Sequence, residues 1–176
     1  MKQELTKSEY AILGLLVEKP GHGYDLEQTI EARNMRDWTE LAFSSIYYIL
    51  KRLEERNLIE VEANQKTGKR ARKVYRPTIE GKHLHQVMTF TFLGQPENLY
   101  PALLMGLANW PAVDQDQAFE ALRQRKSELS GILQDLAGKS KIQPVFVSVM
   151  FDYSIAHLKA EIDWIDKALG KLGATS

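Results

Sequence analysis

Cysteine is absent from the 176-residue chain, which excludes disulfide staples, thiolate metal sites, cysteine nucleophiles and thiol redox sensing together. Long hydrophobic runs are absent too: the start, MKQELTKSEY, is polar, and no later stretch would serve as a signal peptide or a membrane span. A cytoplasmic protein with no membrane association is the expectation. Nor does charge of one sign prevail, since 23 Lys and Arg face 23 Asp and Glu for a formal net charge of +0 at pH 7. A histone-like polycation is thereby excluded, so any affinity for a polyanion has to be concentrated in one place. Apolar residues are present in ordinary measure, at 44%, enough for a packed core and too many for a disordered chain.

Positive charge does gather in one place. Between Ala63 and Ile79 there is no acidic residue, whereas Lys66, Lys69, Arg70, Arg72, Lys73 and Arg76 are all basic. This run lies inside a longer device, from Phe43 to Gly81. Ile46, Ile49, Leu50 and Leu53 recur at i, i+3, i+4 and i+7, the stripe of an amphipathic helix. Its opposite side carries Ser44, Tyr48 and Lys51, with Ser45, Tyr47 and Arg52 on the shoulders, and Ser44 or Ser45 is suited to cap it. Leu58, Ile59 and Val61 then alternate with Glu60 and Glu62 as in a half-buried strand. A polar, glycine-containing run follows at 64–70, and Arg72, Val74 and Arg76 alternate with Lys73 and Tyr75 in a second strand. A helix followed by a hairpin with a cationic tip is the second half of a winged helix-turn-helix, and the tip is a candidate phosphate-binding stripe.

The segments around it complete such a domain. Residues 5–19 are dense in apolar side chains, with Thr6 or Ser8 as cap, and Pro20-Gly21 ends the helix. A second helix spans about 24–33, with Asn34 as its stop. In the connector to the third helix, Trp38, Leu41 and Phe43 are expected to anchor on the core. Thr78 caps an exit helix to about residue 92, and Gly94-Gln95-Pro96 marks a boundary. The expected division is a winged domain at 1–93 and a helical domain at 94–176.

In the second domain, a short apolar helix at about 99–110 precedes long helices at about 115–137, stopped by Gly138, and 144–172. The last is apolar through Phe146, Val149, Met150 and Tyr153 and amphipathic through Leu158, Ile162, Ile165 and Leu169. Stripes this long exceed what so small a lobe can cover, so a second copy of the chain is the expected partner.

Other constellations are weaker. His83 and His85 are about 200° apart on a helix and cannot share an ion unaided, so a surface pair is expected and no metal. Asp152, Tyr153 and His157 lack a nucleophile partner, a phosphate loop and a metal set, so no enzyme and no cofactor are expected. Tyr100, Trp110, Phe146, Phe151, Tyr153 and Trp164 could line a pocket for a small aromatic effector, although such residues are more often core or interface. A winged domain can also bind protein through the same surfaces, and salt separates the cases, because phosphate contacts weaken steeply with ionic strength.

With these motifs in order, the chain resembles the PadR family of bacterial transcription regulators. The resemblance rests on His22-Gly23-Tyr24-Asp25-Leu26, Ser45-Ile46-Tyr47, Leu50-Lys51-Arg52-Leu53-Glu54, Leu58-Ile59, Arg72-Lys73-Val74-Tyr75, and Thr78 with Glu80-Gly81. Glu161-Ile162-Asp163-Trp164-Ile165 is similar to the longer-tailed branch. Tyr48 stands where relatives often carry proline, and Asn57 where they often carry glycine. The family implies a homodimeric repressor on a double-stranded, pseudo-palindromic DNA operator, with recognition helix 44–57 in the major groove and wing 64–73 on the backbone or minor groove. Ser44, Ser45, Tyr47, Tyr48 and Lys51 would face the groove; Arg52, Lys69, Arg70, Arg72 and Lys73 would hold phosphates.

Overall fold

The computed structural model describes residues 5–39, 41–42, 45–67, 70–98, 100–139 and 145–173, with backbone alone at 37, 63–67, 70–72, 139 and 146. They fall into two units, Met1–Asn98 and Leu99–Ser176.

The first unit opens with α1 (Lys7–Glu18). Thr6 Oγ1 accepts the Glu9 amide at 3.1 Å and Glu9 Oε2 accepts the Thr6 amide at 2.9 Å, a closed capping box. Ile12, Leu13 and Leu16 are wholly buried along one side. After Pro20, Gly21 pairs with Tyr75 through two amide–carbonyl bonds of 3.1 and 2.9 Å, a one-residue strand beside the wing. Next, α2 (Gly23–Ala32) buries Leu26 and Ile30 and is followed by left-handed Asn34 at φ 48°. A 3-10 turn, Met35–Asp37, then aims Met35 inward. Met35 and Leu41 anchor the connector, whereas Trp38, expected to do so, is 54% exposed because the turn spends its inward position on Met35. Phe43 lies outside the described residues.

The apolar stripe of α3 (Ile46–Glu55) is buried at all four expected positions. The helix is shorter than 44–57. Ser45 has helical backbone and its hydroxyl donates to Ala42 O at 2.7 Å, so it does not cap; Ser44 lies outside the described residues. At the other end Asn57 takes φ 55°, and the amides of Asn57 and Leu58 return to the carbonyls of Glu54 and Leu53, both at 2.9 Å. This is a Schellman stop built on asparagine.

The wing consists of β1 (Ile59–Thr67) and β2 (Arg70–Pro77), antiparallel from Ile59↔Pro77 to Thr67↔Arg70 with a bulge between Val61 and Ala63. The paired region therefore runs through most of the 64–70 stretch expected as the hairpin's tip; Gly68 and Lys69 lie outside the described residues. Polar side chains do not prevent pairing once the register is set at the buried base.

Thr78 then fastens α4 (Ile79–Gly94) to the end of α3. Its amide donates to Leu58 O at 3.0 Å, its hydroxyl donates to Asn57 O at 2.8 Å, and the hydroxyl oxygen accepts the Gly81 amide at 3.0 Å. A Cβ on Gly81 would fall 2.0 Å from Leu58 O, so only glycine fits this crossing. Farther along, α4 lies on α1: Tyr10 Oη and Thr89 Oγ1 are 2.8 Å apart, and the His85 ring stacks on Tyr10 at 4.8 Å. His85 is thus a packing residue and not one of a surface pair, since α1 covers its side of the helix.

The second unit contains α5 (Ala102–Ala108), a 3-10 turn at Trp110–Ala112, α6 (Gln115–Lys139) and α7 (Val145–Gly173). Asp114 Oδ1 accepts the Gln117 amide at 2.9 Å and starts α6. That helix passes through Gly138, the expected stop, since one helical glycine costs only about 1 kcal/mol against alanine. Leu122, Ile165 and Ala168 are buried where α6 and α7 meet, flanked by ion pairs Arg125–Glu161 at 2.6 Å and Lys126–Asp166. Among the described residues no helix is long and apolar enough to cross a membrane.

Candidate nucleic-acid interface

Burial of Ile46, Ile49, Leu50 and Leu53 leaves α3 only one direction in which to show its remaining side chains. Tyr47 and Tyr48 are 70% and 62% exposed, and the Lys51 side chain reaches solvent with Glu55 at 3.6 Å. These three share the outer surface of one helix. Tyr47 is set by its base, because its Cε1 lies only 2.8 Å from where a Cβ on Gly23 would stand. The Gly23 of α2 is the seat on which that phenol rests.

Lys73 is the only wing cation of the expected set with a described side chain. Its Nζ is 3.5 Å from each Glu54 carboxylate oxygen and 6.0 Å from the Tyr75 ring centroid. The Lys73 carbonyl accepts a 3.0 Å bond from His22 Nδ1–H, which ties the wing to the start of α2. Burial pushes the Tyr75 phenol up, opposed by Lys73 and aided by Glu54 and Tyr47, as expected where helix and wing converge. At the wing base Arg76 is matched by Glu60 at 3.0 Å and Glu62 at 3.6 Å. Farther out, the sequence between Ala63 and Lys73 has cations and no acid. Arg70 and Arg72 have backbone in β2, and Lys69 lies outside the described residues.

Arg52 is placed differently. Its Nε is 3.1 Å from Glu9 Oε1, its side chain is about one-third exposed, and its guanidinium lies 5.8 Å from the Tyr48 ring centroid. Sequence reading missed Glu9, although it is 1% exposed and also takes Arg56 Nη1 at 3.3 Å. It missed Tyr24 and Gln28 as well. These line a hollow with Ile46 and Tyr47, and Gln28 Nε2 donates to Tyr24 Oη at 3.1 Å; their i, i+4 spacing on α2 was the available signal.

The expected dimer residues divide in two. Val149, Met150 and Tyr153 are exposed on the first half of α7, and the Phe146 side chain lies outside the description. Leu158, Ile162 and Leu169 are half-buried, and Ile165 is wholly buried within the unit.

No curated protein matches the sequence at a significant level. The fold is shared with solved structures. Bacillus subtilis PadR in complex with operator DNA has a TM-score of 0.74 at 19% identity, covering 93% of this chain and 96% of that one. The same protein in complex with p-coumaric acid gives 0.73 at 21%, covering 96% and 99%. A PadR-like transcriptional regulator from Bacillus cereus gives 0.64 at 23%, covering 97% and 100%. The model of the transcriptional regulator PadR-like family matches residues 12–86, which include α2, α3 and the wing. Through that segment the chain is similar to the PadR-like family of transcriptional regulators.

Proposed function

We propose that the chain is a sequence-specific DNA-binding repressor of the longer-tailed PadR branch, acting in the cytoplasm as a homodimer on a pseudo-palindromic operator and carrying no enzymatic activity. The observation that carries this reading is the outer surface of α3, where Tyr47, Tyr48 and Lys51 stand exposed opposite a fully buried stripe and beside a cationic wing. Helices of this width fit the major groove, and phenols and ammonium groups both meet base edges and phosphates there. Ser45 and Tyr47 flank the contact, with Ser44 at its start. Lys69, Arg70, Arg72 and Lys73 hold the backbone or reach the minor groove. The crystallised relative bound to operator DNA supports this assignment by likeness of fold.

The domain ending near Gly94 reads DNA, and the helical remainder pairs two copies through the first half of α7, where Val149, Met150 and Tyr153 are exposed. The relative bound to p-coumaric acid favours a second layer, release from DNA by a small phenolic acid. Selection of binding sites from a random duplex pool, with the purified chain at near-physiological salt, tests the reading. An enriched inverted repeat is expected. Absence of any enriched sequence, with and without phenolic acids, would exclude it.

A further inference from the structure

We infer that Glu9 and Arg52 form a positioning relay for Tyr48, the carboxylate fixing the guanidinium and the guanidinium fixing the ring; this rests on the DNA-reading role proposed for α3. Glu9 is the one charged side chain fully buried among the described residues. A buried carboxylate is tolerated only when its charge is met, and here the Thr6 amide at 2.9 Å, Arg56 at 3.3 Å and Arg52 at 3.1 Å meet it. If Arg52 swung out to a phosphate, the buried Glu9 would keep Arg56 and the Thr6 amide on Oε2 but lose the guanidinium beside Oε1. Lys51, one residue earlier, has no such tie to the core and is 73% exposed in its side chain, so the two cations differ in freedom as well as direction.

Arg52 follows Tyr48 by four positions, and long helical side chains lean toward the N-terminus, which brings the guanidinium back to the exposed ring at 5.8 Å. A ring with one neighbour fixed in this way has fewer orientations to lose when it enters a groove. Arg52 is therefore a positioning residue, and sequence preference is what the relay governs.

The test uses the full chain and the operator selected above, with competition binding against duplexes altered one base pair at a time and repeated over a range of salt. Tyr48→Ala identifies the base pairs that depend on the phenol. Arg52→Lys keeps the charge but loses the planar group, and Glu9→Gln keeps the shape but loses the charge. Both should lower discrimination at those base pairs by about two- to fivefold, the worth of an exposed cation–π contact, with non-specific affinity unchanged. Arg52→Met should leave the salt slope as it is. A fall in that slope by about one, with binding weakened equally on all sequences, would make Arg52 a phosphate ligand and overturn the relay. Unchanged preference in a folded Arg52→Lys protein would overturn it too. Loss of all sequence preference by the unaltered chain would instead remove the DNA-reading role, a different failure.

Discussion

On α4 the imidazole of His85 lies within 7° of parallel to the Tyr10 ring, and burial pulls its pKa below the ordinary 6.5 while Glu18 pulls the other way. The unfolded chain therefore takes up a proton at this histidine before the folded chain does. Its stabilising contribution is complete above about pH 6.5 and is lost as pH falls through the lower folded value. Thermal unfolding of the parent and of His85→Phe should diverge between pH 7.5 and 5.5, the parent losing more; parallel curves would refute the assignment. The sequence placed His83 and His85 on different sides of a helix correctly, but an angle between two residues does not say which one meets α1. Glu9 was illegible for a similar reason. Its partners Arg52 and Arg56 come from another helix, and nothing local distinguishes a buried carboxylate from a helix-start one.

At the scale of elements, α3 was readable from its apolar stripe, and its stop was readable from Asn57. Its start was not, because serine hydroxyls serve a preceding carbonyl as readily as a following amide, and Ser45 does the former. The wing strands outran their expected length because pairing registered at Ile59↔Pro77 carries polar residues along with it. For the proposed DNA contact the wing charge matters more than its length. Replacing Lys69, Arg70, Arg72 and Lys73 together with alanine should weaken binding to all sequences alike and reduce the salt slope by about 3 per protomer, with Lys73 contributing least because Glu54 already faces it. Titration of binding against salt measures this, and an unaltered slope would remove the wing from the interface.

For the whole molecule, the proposed dimer depends on α7. Met150→Glu with Tyr153→Lys places charge on its exposed first half without harming helix propensity. Sedimentation should then show monomers, and operator affinity should fall at least about 100-fold as bivalent binding is lost; an intact dimer would move the interface elsewhere. Ile165 was expected in this interface and is buried against α6, which apolar periodicity alone could not decide, since a stripe does not name its partner. The Thr78 fastening has one more consequence. With its root welded to Leu58 and its flank bolted to α1, α4 is a lever about 24 Å long with no joint at its base. A sideways push of about 4 Å at Gly94 would swing the entire head by about 10° and could not tilt α3 by itself. In the proposed dimer, control exerted from the C-terminal side would act by changing the gap between the two heads, so that they no longer match successive turns of one DNA face.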